Sequence, residues 1–67
     1  MKYTFTTSTI TVIYKDGGFD TFEHAIKWIK NMDYYDIFFV LDDDLNYIKI
    51  DSSDVATIVF GIPDNAI

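Results

Sequence analysis

Three consecutive aspartates, Asp42, Asp43 and Asp44, lie between two apolar segments in the run LDDDLN. Carboxylates in such a run can bind calcium or shape a turn, depending on the residues around them. A calcium loop that began at Asp42 would need a glycine at its sixth position and a glutamate at its twelfth. Tyr47 and Ser53 occupy those positions. The pattern therefore predicts a turn between two strands, and no metal site.

The run belongs to a larger acidic set. The chain has eleven acidic residues and five basic ones, which gives a net charge of −6, and every basic residue is a lysine. A surface that binds nucleic acid needs clustered positive charge and commonly uses arginine, so we expect no direct binding of DNA or RNA. A protein with a basic surface is the expected partner. The carboxylates expected to face it are Asp36, Asp42, Asp43, Asp44, Asp51 and Asp54.

Groups that could catalyse a reaction are sparse. His24 is the single histidine, there is no cysteine, and Ser52 and Ser53 have no histidine near them in the sequence. The DGGFD segment has two glycines but lacks the lysine and the spacing of a phosphate-binding loop. We therefore predict a protein that is not an enzyme and that uses no cofactor.

The segment after DGGFD predicts an amphipathic helix over about residues 21–31. Asp20, with Glu23 three residues later, has the pattern of a helix N-cap and capping box. Apolar residues follow at helical spacing and would form one stripe along the helix. They are Phe22, Ala25, Ile26, Ile29 and Met32.

Strands are predicted on both sides of this helix from runs of β-branched and aromatic residues. In the first run the alternation of apolar residues changes phase near Ser8, which a bulge in one long bent strand explains. The predicted strands lie in residues 2–14, 33–42, 46–51 and 55–60, with an irregular tail over 61–67.

These elements predict a single α+β domain over residues 1–67. One helix would pack on an antiparallel sheet of about four strands, in the chain order β-α-β-β-β. If the first strand is split into two, the order becomes ββαβββ. One helix covers only one face of a sheet, yet hydrophobic residues make up 49% of the chain and aromatic residues 18%.

The uncovered side of the sheet, or its edge, is therefore expected to meet another polypeptide. That polypeptide is either a second copy, giving a homodimer or other self-association, or a foreign target. Tyrosine and tryptophan are enriched among the residues that contribute most to binding. The aromatic residues expected in the contact are Trp28, Tyr34 and Tyr47.

The chain has neither a signal peptide pattern nor a run of about 20 apolar residues, so we expect a soluble cytoplasmic protein without a membrane partner. In its shortness, acidity, aromatic content and lack of cysteine it is similar to small phage or mobile-element inhibitors of host defence. This likeness is one of composition and rests on no motif. It implies an inhibitor of the anti-CRISPR or anti-restriction type, whose carboxylates mimic DNA phosphates. The alternative is a self-associating accessory protein whose acidity serves only solubility.

Overall fold

The computed structural model describes residues 6–62, which form five strands and a short 3-10 turn, with no α-helix at 21–31 or elsewhere in this range. The strands are β1 Ser8–Tyr14, β2 Phe19–Asn31, β3 Tyr34–Leu41, β4 Asp44–Asp51 and β5 Val55–Phe60, and the 3-10 turn is Ser52–Asp54. All neighbouring strands are antiparallel, in the order β4-β3-β2-β1-β5. The predicted α+β fold is wrong, and the described chain is all-β.

Strand β2 takes the place of the predicted helix, and its two bulges explain the error. One bulge lies at His24 in the pairing with β1, where φ is 56°, and the other lies at Ile26 in the pairing with β3. A bulge inserts one extra residue, so the next side chain on the same face comes three positions later instead of two. Phe22, Ala25 and Trp28 therefore face one side of the sheet at a spacing of three. That spacing imitates the stripe of an amphipathic helix.

The predicted helix cap is also wrong. Asp20 lies within β2, and its carboxylate accepts a hydrogen bond from the Tyr14 hydroxyl at 2.7 Å. β-branched and aromatic side chains favour strands. Those in β2 are Phe19, Thr21, Phe22, Ile26, Trp28 and Ile29.

The other predicted strands are confirmed where the structure describes them. β5 has the predicted bounds, β3 is one residue shorter at each end than the predicted segment 33–42, and β4 begins two residues before the predicted start at Asn46. β1 covers the later part of the predicted strand 2–14, of which residues 1–5 lie outside the described range. Gly61 and Ile62 belong to no strand, and the rest of the predicted tail also lies outside that range.

The connection between β4 and β5 forces the sheet to curl. These strands lie at opposite edges, so in a flat sheet they would be roughly 19 Å apart across four interstrand spacings. Only the 3-10 turn joins them, and the four residue steps from Asp51 to Val55 span at most about 14 Å. The turn is fixed at both ends: the Ser52 N–H donates to the Asp33 carbonyl at 2.8 Å, and the Lys15 N–H donates to the Asp54 carbonyl at 2.9 Å.

The core fills the concave side of this curl. Ile37 of β3 belongs to the same buried cluster as Val12 of β1 and Val55 of β5, although β2 lies between β3 and β1 in the sheet. Ala25 provides the small side chain of β2 that lets the others meet. Burial of a full aliphatic side chain contributes about 1.5–3 kcal/mol, so a core this small leaves the fold marginally stable.

The three aspartates form the turn that the sequence predicts. Leu41 pairs with Asp44, so Asp42 and Asp43 alone make the loop of the β3–β4 hairpin. Their φ angles are 52° and 63°, and positive φ at both central residues defines a type I′ turn. Aspartate tolerates this backbone better than most residues do, but glycine is the preferred second residue.

Replacing Asp43 by Gly should therefore raise the free energy of unfolding by about 0.5–1 kcal/mol, because the left-handed backbone no longer strains a side chain. Asp33→Gly is the matched control: it also removes one charge from a hairpin turn, but Asp33 is not among the residues with positive φ. The control should lower stability by about 0.5–1 kcal/mol through added backbone entropy. Urea denaturation of both variants measures the two changes, and equal effects would contradict the turn assignment.

Candidate functional site

The convex side of β2, β3 and β4 carries aromatic and lysine side chains in cross-strand rows. Direct pairing places Lys27, Phe38 and Tyr47 in one row across the three strands. Ile29, Asp36 and Lys49 form the next row, and Asn31, Tyr34 and Asp51 form the third. Directly paired residues point to the same side of a sheet, so these side chains share one surface. We call it the aromatic–lysine face.

The lysines of this face lie against its rings. The Lys27 ammonium is 5.3 Å from the centre of the Phe38 ring. The Lys49 ammonium is 5.5 Å from the centre of Tyr34 and 5.9 Å from that of Tyr47. The Phe38 and Tyr47 rings are themselves 5.7 Å apart, at 31° to each other. A cation over an aromatic face is attracted by the ring quadrupole, so these contacts hold the rings in a defined arrangement.

Asp36, one of the carboxylates predicted to meet a partner, is neutralised within the face. Its residue is only 8% exposed, and one of its oxygens lies 3.1 Å from the Lys49 ammonium. A buried carboxylate needs such a partner because its desolvation is costly. Asp36 therefore positions Lys49 between Tyr34 and Tyr47. Because Asp36 already pairs with Lys49, it is poorly placed to bind a basic group of a partner.

The other predicted aspartates occupy separate places. Asp42, Asp43 and Asp44 lie at the hairpin end of the face, and Asp51 lies at its opposite end. Seven residue steps along β4 lead from Asp44 to Asp51, a distance of roughly 23 Å. Asp54 belongs to the 3-10 turn, where its carbonyl bonds Lys15 at the end of β1. The six aspartates thus do not form a single cluster.

The negative charge at Asp51 is well stabilised. Its carboxylate accepts hydrogen bonds from the Ser53 backbone N–H at 3.0 Å and from the Ser53 hydroxyl at 2.8 Å. The backbone bond, followed by the hydroxyl bond, holds the pKa of Asp51 below its ordinary value, because both favour the ionised form. This end of the face therefore remains anionic at neutral pH.

Two of the three predicted aromatic contacts lie on the aromatic–lysine face. Tyr34 and Tyr47 do, and they are 45% and 59% exposed. Trp28 pairs with buried Ile37 and lies on the concave side, where its ring meets that of Tyr35 edge-on at 5.5 Å. Trp28 therefore lies on the other side of the sheet from Tyr34 and Tyr47, and it is still 40% exposed.

Lys27, Phe38 and Lys49 were not predicted as site residues. Alternation along β3 alone places Phe38 on the same side as Tyr34, so this residue could have been found. Lys27 could be found only by recognising β2 as a strand with bulges. Alternation along β4 likewise places Lys49 on the same side as Tyr47, but its contacts with Asp36 and Tyr34 depend on the β3–β4 register.

Residues 6–62 contain no group of three or more His, Asp or Glu side chains arranged to hold a metal ion. Nor does this part of the chain contain a helix that is long and apolar enough to cross a membrane. Comparison with models of known families, with curated proteins and with solved structures finds no match to this chain. The fold and the face define a small, curled antiparallel-sheet protein with an open aromatic surface.

Away from this face, the hydroxyl of Tyr14 donates to Asp20 among several carboxylates. The hydrogen bond to Asp20 is the main cause that raises the pKa of Tyr14 to about 12, with smaller contributions from burial and from the nearby Asp20, Asp54 and Asp16 charges. An ionised Tyr14 could no longer donate a hydrogen bond to Asp20, and its negative charge would be repelled by the nearby carboxylates.

The tyrosine proton is held more tightly in the folded state than at the ordinary pKa of 10.0. The resulting stabilisation is complete below pH 10.0 and is lost as the pH rises through about 12. Tyr14→Phe lacks this proton, so the stability advantage of the unmodified protein over the variant should shrink across that interval. Denaturation at a series of alkaline pH values measures the difference, and an advantage that stays constant would refute the assigned hydrogen bond.

Proposed function

We propose that the protein is a non-enzymatic binding module that docks on another protein through the aromatic–lysine face. One observation carries the proposal: Tyr34 and Tyr47 on the convex side of β2–β4 stay about half exposed, whereas the main buried cluster of the core lies on the concave side. A contiguous apolar surface of this kind marks a site of interaction.

The composition of the face favours a protein target. Tyr47 and Tyr34 are large, rigid and amphipathic, and such residues dominate the energy of protein contacts. Ile26, Lys27, Phe38 and Leu45 line a shallow hollow beside Tyr47 that an apolar side chain could fill. A nucleic acid would find little positive charge, because the net charge is −6 and Lys49 is already paired with Asp36.

The carboxylates at both ends of the face indicate what surrounds the apolar contact on the target. Asp42–Asp44 at one end and Asp51 at the other would meet basic groups roughly 23 Å apart. Charges at the rim of a contact mainly steer association and exclude wrong partners. A protein that normally binds nucleic acid has basic groups of this kind, which supports extending the proposal to an inhibitor of a nucleic-acid-directed defence protein.

Tyr47→Ala should weaken target binding by at least about tenfold, since removal of a central aromatic contact commonly costs more than 1.4 kcal/mol. The test is capture of host proteins on immobilised protein, followed by affinity measurement for the protein retained. Phe19→Ala is the matched control. Phe19 is 67% exposed, but it pairs with Ile13 of β1 at the start of β2 and belongs to none of the three rows of the aromatic–lysine face. A target that is lost with Phe19→Ala and kept with Tyr47→Ala would overturn the assignment.

Charge reversal by Asp43→Lys should slow association with the same target, and added salt should weaken binding of the unmodified protein. Asp16→Lys, in the β1–β2 turn away from the face, makes the same change in net charge and should have a smaller effect. Stopped-flow or surface-based kinetics at several salt concentrations separates the two variants. If both variants lost the same fraction of their association rate, the hairpin carboxylates would act only through the overall charge of the protein.

A further inference from the structure

The outer edge of β4 presents backbone groups without a neighbouring described strand. Among the strands of residues 6–62, β4 pairs only with β3. Opposite residues of β3 and β4 alternate between hydrogen-bonded and non-hydrogen-bonded pairs. The two-residue turn makes Leu41 and Asp44 a hydrogen-bonded pair, and the hydrogen bond from the Ser52 N–H to the Asp33 carbonyl agrees with this alternation at the other end of β4. The N–H and C=O groups of the intervening residues therefore point alternately to β3 and away from it. Those that point away belong to Leu45, Tyr47, Lys49 and Asp51.

This edge carries the charges of Asp44, Lys49 and Asp51, but it lacks the proline and the bulges that also prevent pairing with another chain. β4 has eight residues, no proline and no glycine, and its register with β3 runs from Asp44 to Asp51 without a bulge. The opposite edge, β5, has six residues and an irregular register at Tyr14 of its neighbour β1. A long, regular, partly apolar edge strand is a site where another strand adds to the sheet.

We propose that β4 pairs antiparallel with β4 of a second copy of this chain, about a two-fold axis at Ile48. In this register Tyr47 lies opposite Lys49 of the second copy, twice by symmetry, and Ile48 lies opposite itself. The Lys49 ammonium already packs against tyrosine rings within its own chain, so the same contact would extend to the ring of the second copy. Ile48 is 41% exposed and would be covered by its symmetry mate.

Neighbouring registers are less favourable. Outward backbone groups can pair only with one another, so the register can change only in steps that move the two-fold axis by one residue. An axis at Lys49 places the two Lys49 side chains opposite each other. An axis at Tyr47 places Ile50 opposite Asp44 of the second copy and Asp51 opposite Asp43. Like charges directly opposite destabilise a strand pair, which favours the axis at Ile48.

Charge distinguishes this association from the docking of a target. Each copy carries a net charge of −6, so two copies repel and added salt should strengthen the dimer. Binding of a basic target should instead weaken with salt. The two proposals therefore fail independently, and the aromatic–lysine face remains available in the dimer because pairing uses the edge of β4.

Ile48→Cys provides the sharpest test because the natural chain has no cysteine. Opposite residues at a non-hydrogen-bonded antiparallel position have Cα atoms about 4.5 Å apart, which permits a disulfide. Mild oxidation of the dilute variant should convert the 7.8 kDa chain into a covalent species of twice that mass. Val59→Cys, similarly exposed on β5, is the control and should not form the covalent species. Equal cross-linking of both variants, or cross-linking of Val59→Cys alone, would overturn the proposal.

Sedimentation tests the unmodified protein. The unmodified protein should sediment as a dimer, and the dissociation constant of this dimer should fall as salt is added. Ile48→Lys should be monomeric because two lysines would lie opposite each other at the two-fold axis. Val59→Lys makes the same change in charge on the other edge and should remain a dimer. Circular dichroism establishes that each variant keeps its strands. A monomeric unmodified protein at all salt concentrations would overturn the proposal.

Discussion

The 3-10 turn Ser52–Asp54 joins the two edge strands of the sheet, and the rest of the structure depends on how short it is. A flat sheet would hold β4 and β5 too far apart for this turn to connect them, so the sheet must curl. The curl makes the two sides of the sheet unequal. The concave side buries Ile37, Val12 and Val55 against one another, whereas Tyr34 and Tyr47 on the convex side stay about half exposed.

The convex side keeps its rings in place by contacts within the sheet. The ammonium groups of Lys27 and Lys49 contact the faces of aromatic rings, and Asp36 forms an ion pair with Lys49. These contacts order the surface without removing it from water, since Tyr47 is still more than half exposed. An ordered surface loses less entropy when a partner binds, which favours recognition. The carboxylates at the two ends of the face, at the hairpin turn and at Asp51, keep it from being uniformly apolar.

The all-β fold was concealed in the sequence by β2. Its bulges at His24 and Ile26 change the spacing of inward side chains from two residues to three, so Phe22 and Ala25 of the predicted stripe lie on one side of the strand at helical spacing. The bulges depend on pairing with β1 and β3, so no property of β2 alone reveals them. Where the register is regular, as in β3 and β4, alternation predicted the strands correctly and placed Tyr34 and Tyr47 in the site. Trp28 was assigned to the contact surface because tryptophan is enriched at binding sites, and the side of β2 on which it lies depends on the same bulges.

The sequence by itself determined the strands β3, β4 and β5, the aspartate turn between β3 and β4, the acidic charge and the excess of aromatic residues. These follow from local preferences: β-branched and aromatic residues favour strands, and aspartate tolerates the backbone of the turn. Tertiary structure decided that β2 is a strand, which side of the sheet became the core, and that Lys49 meets Asp36 and two tyrosines. Those outcomes depend on register and curl, which arise only when strands distant in the chain pair.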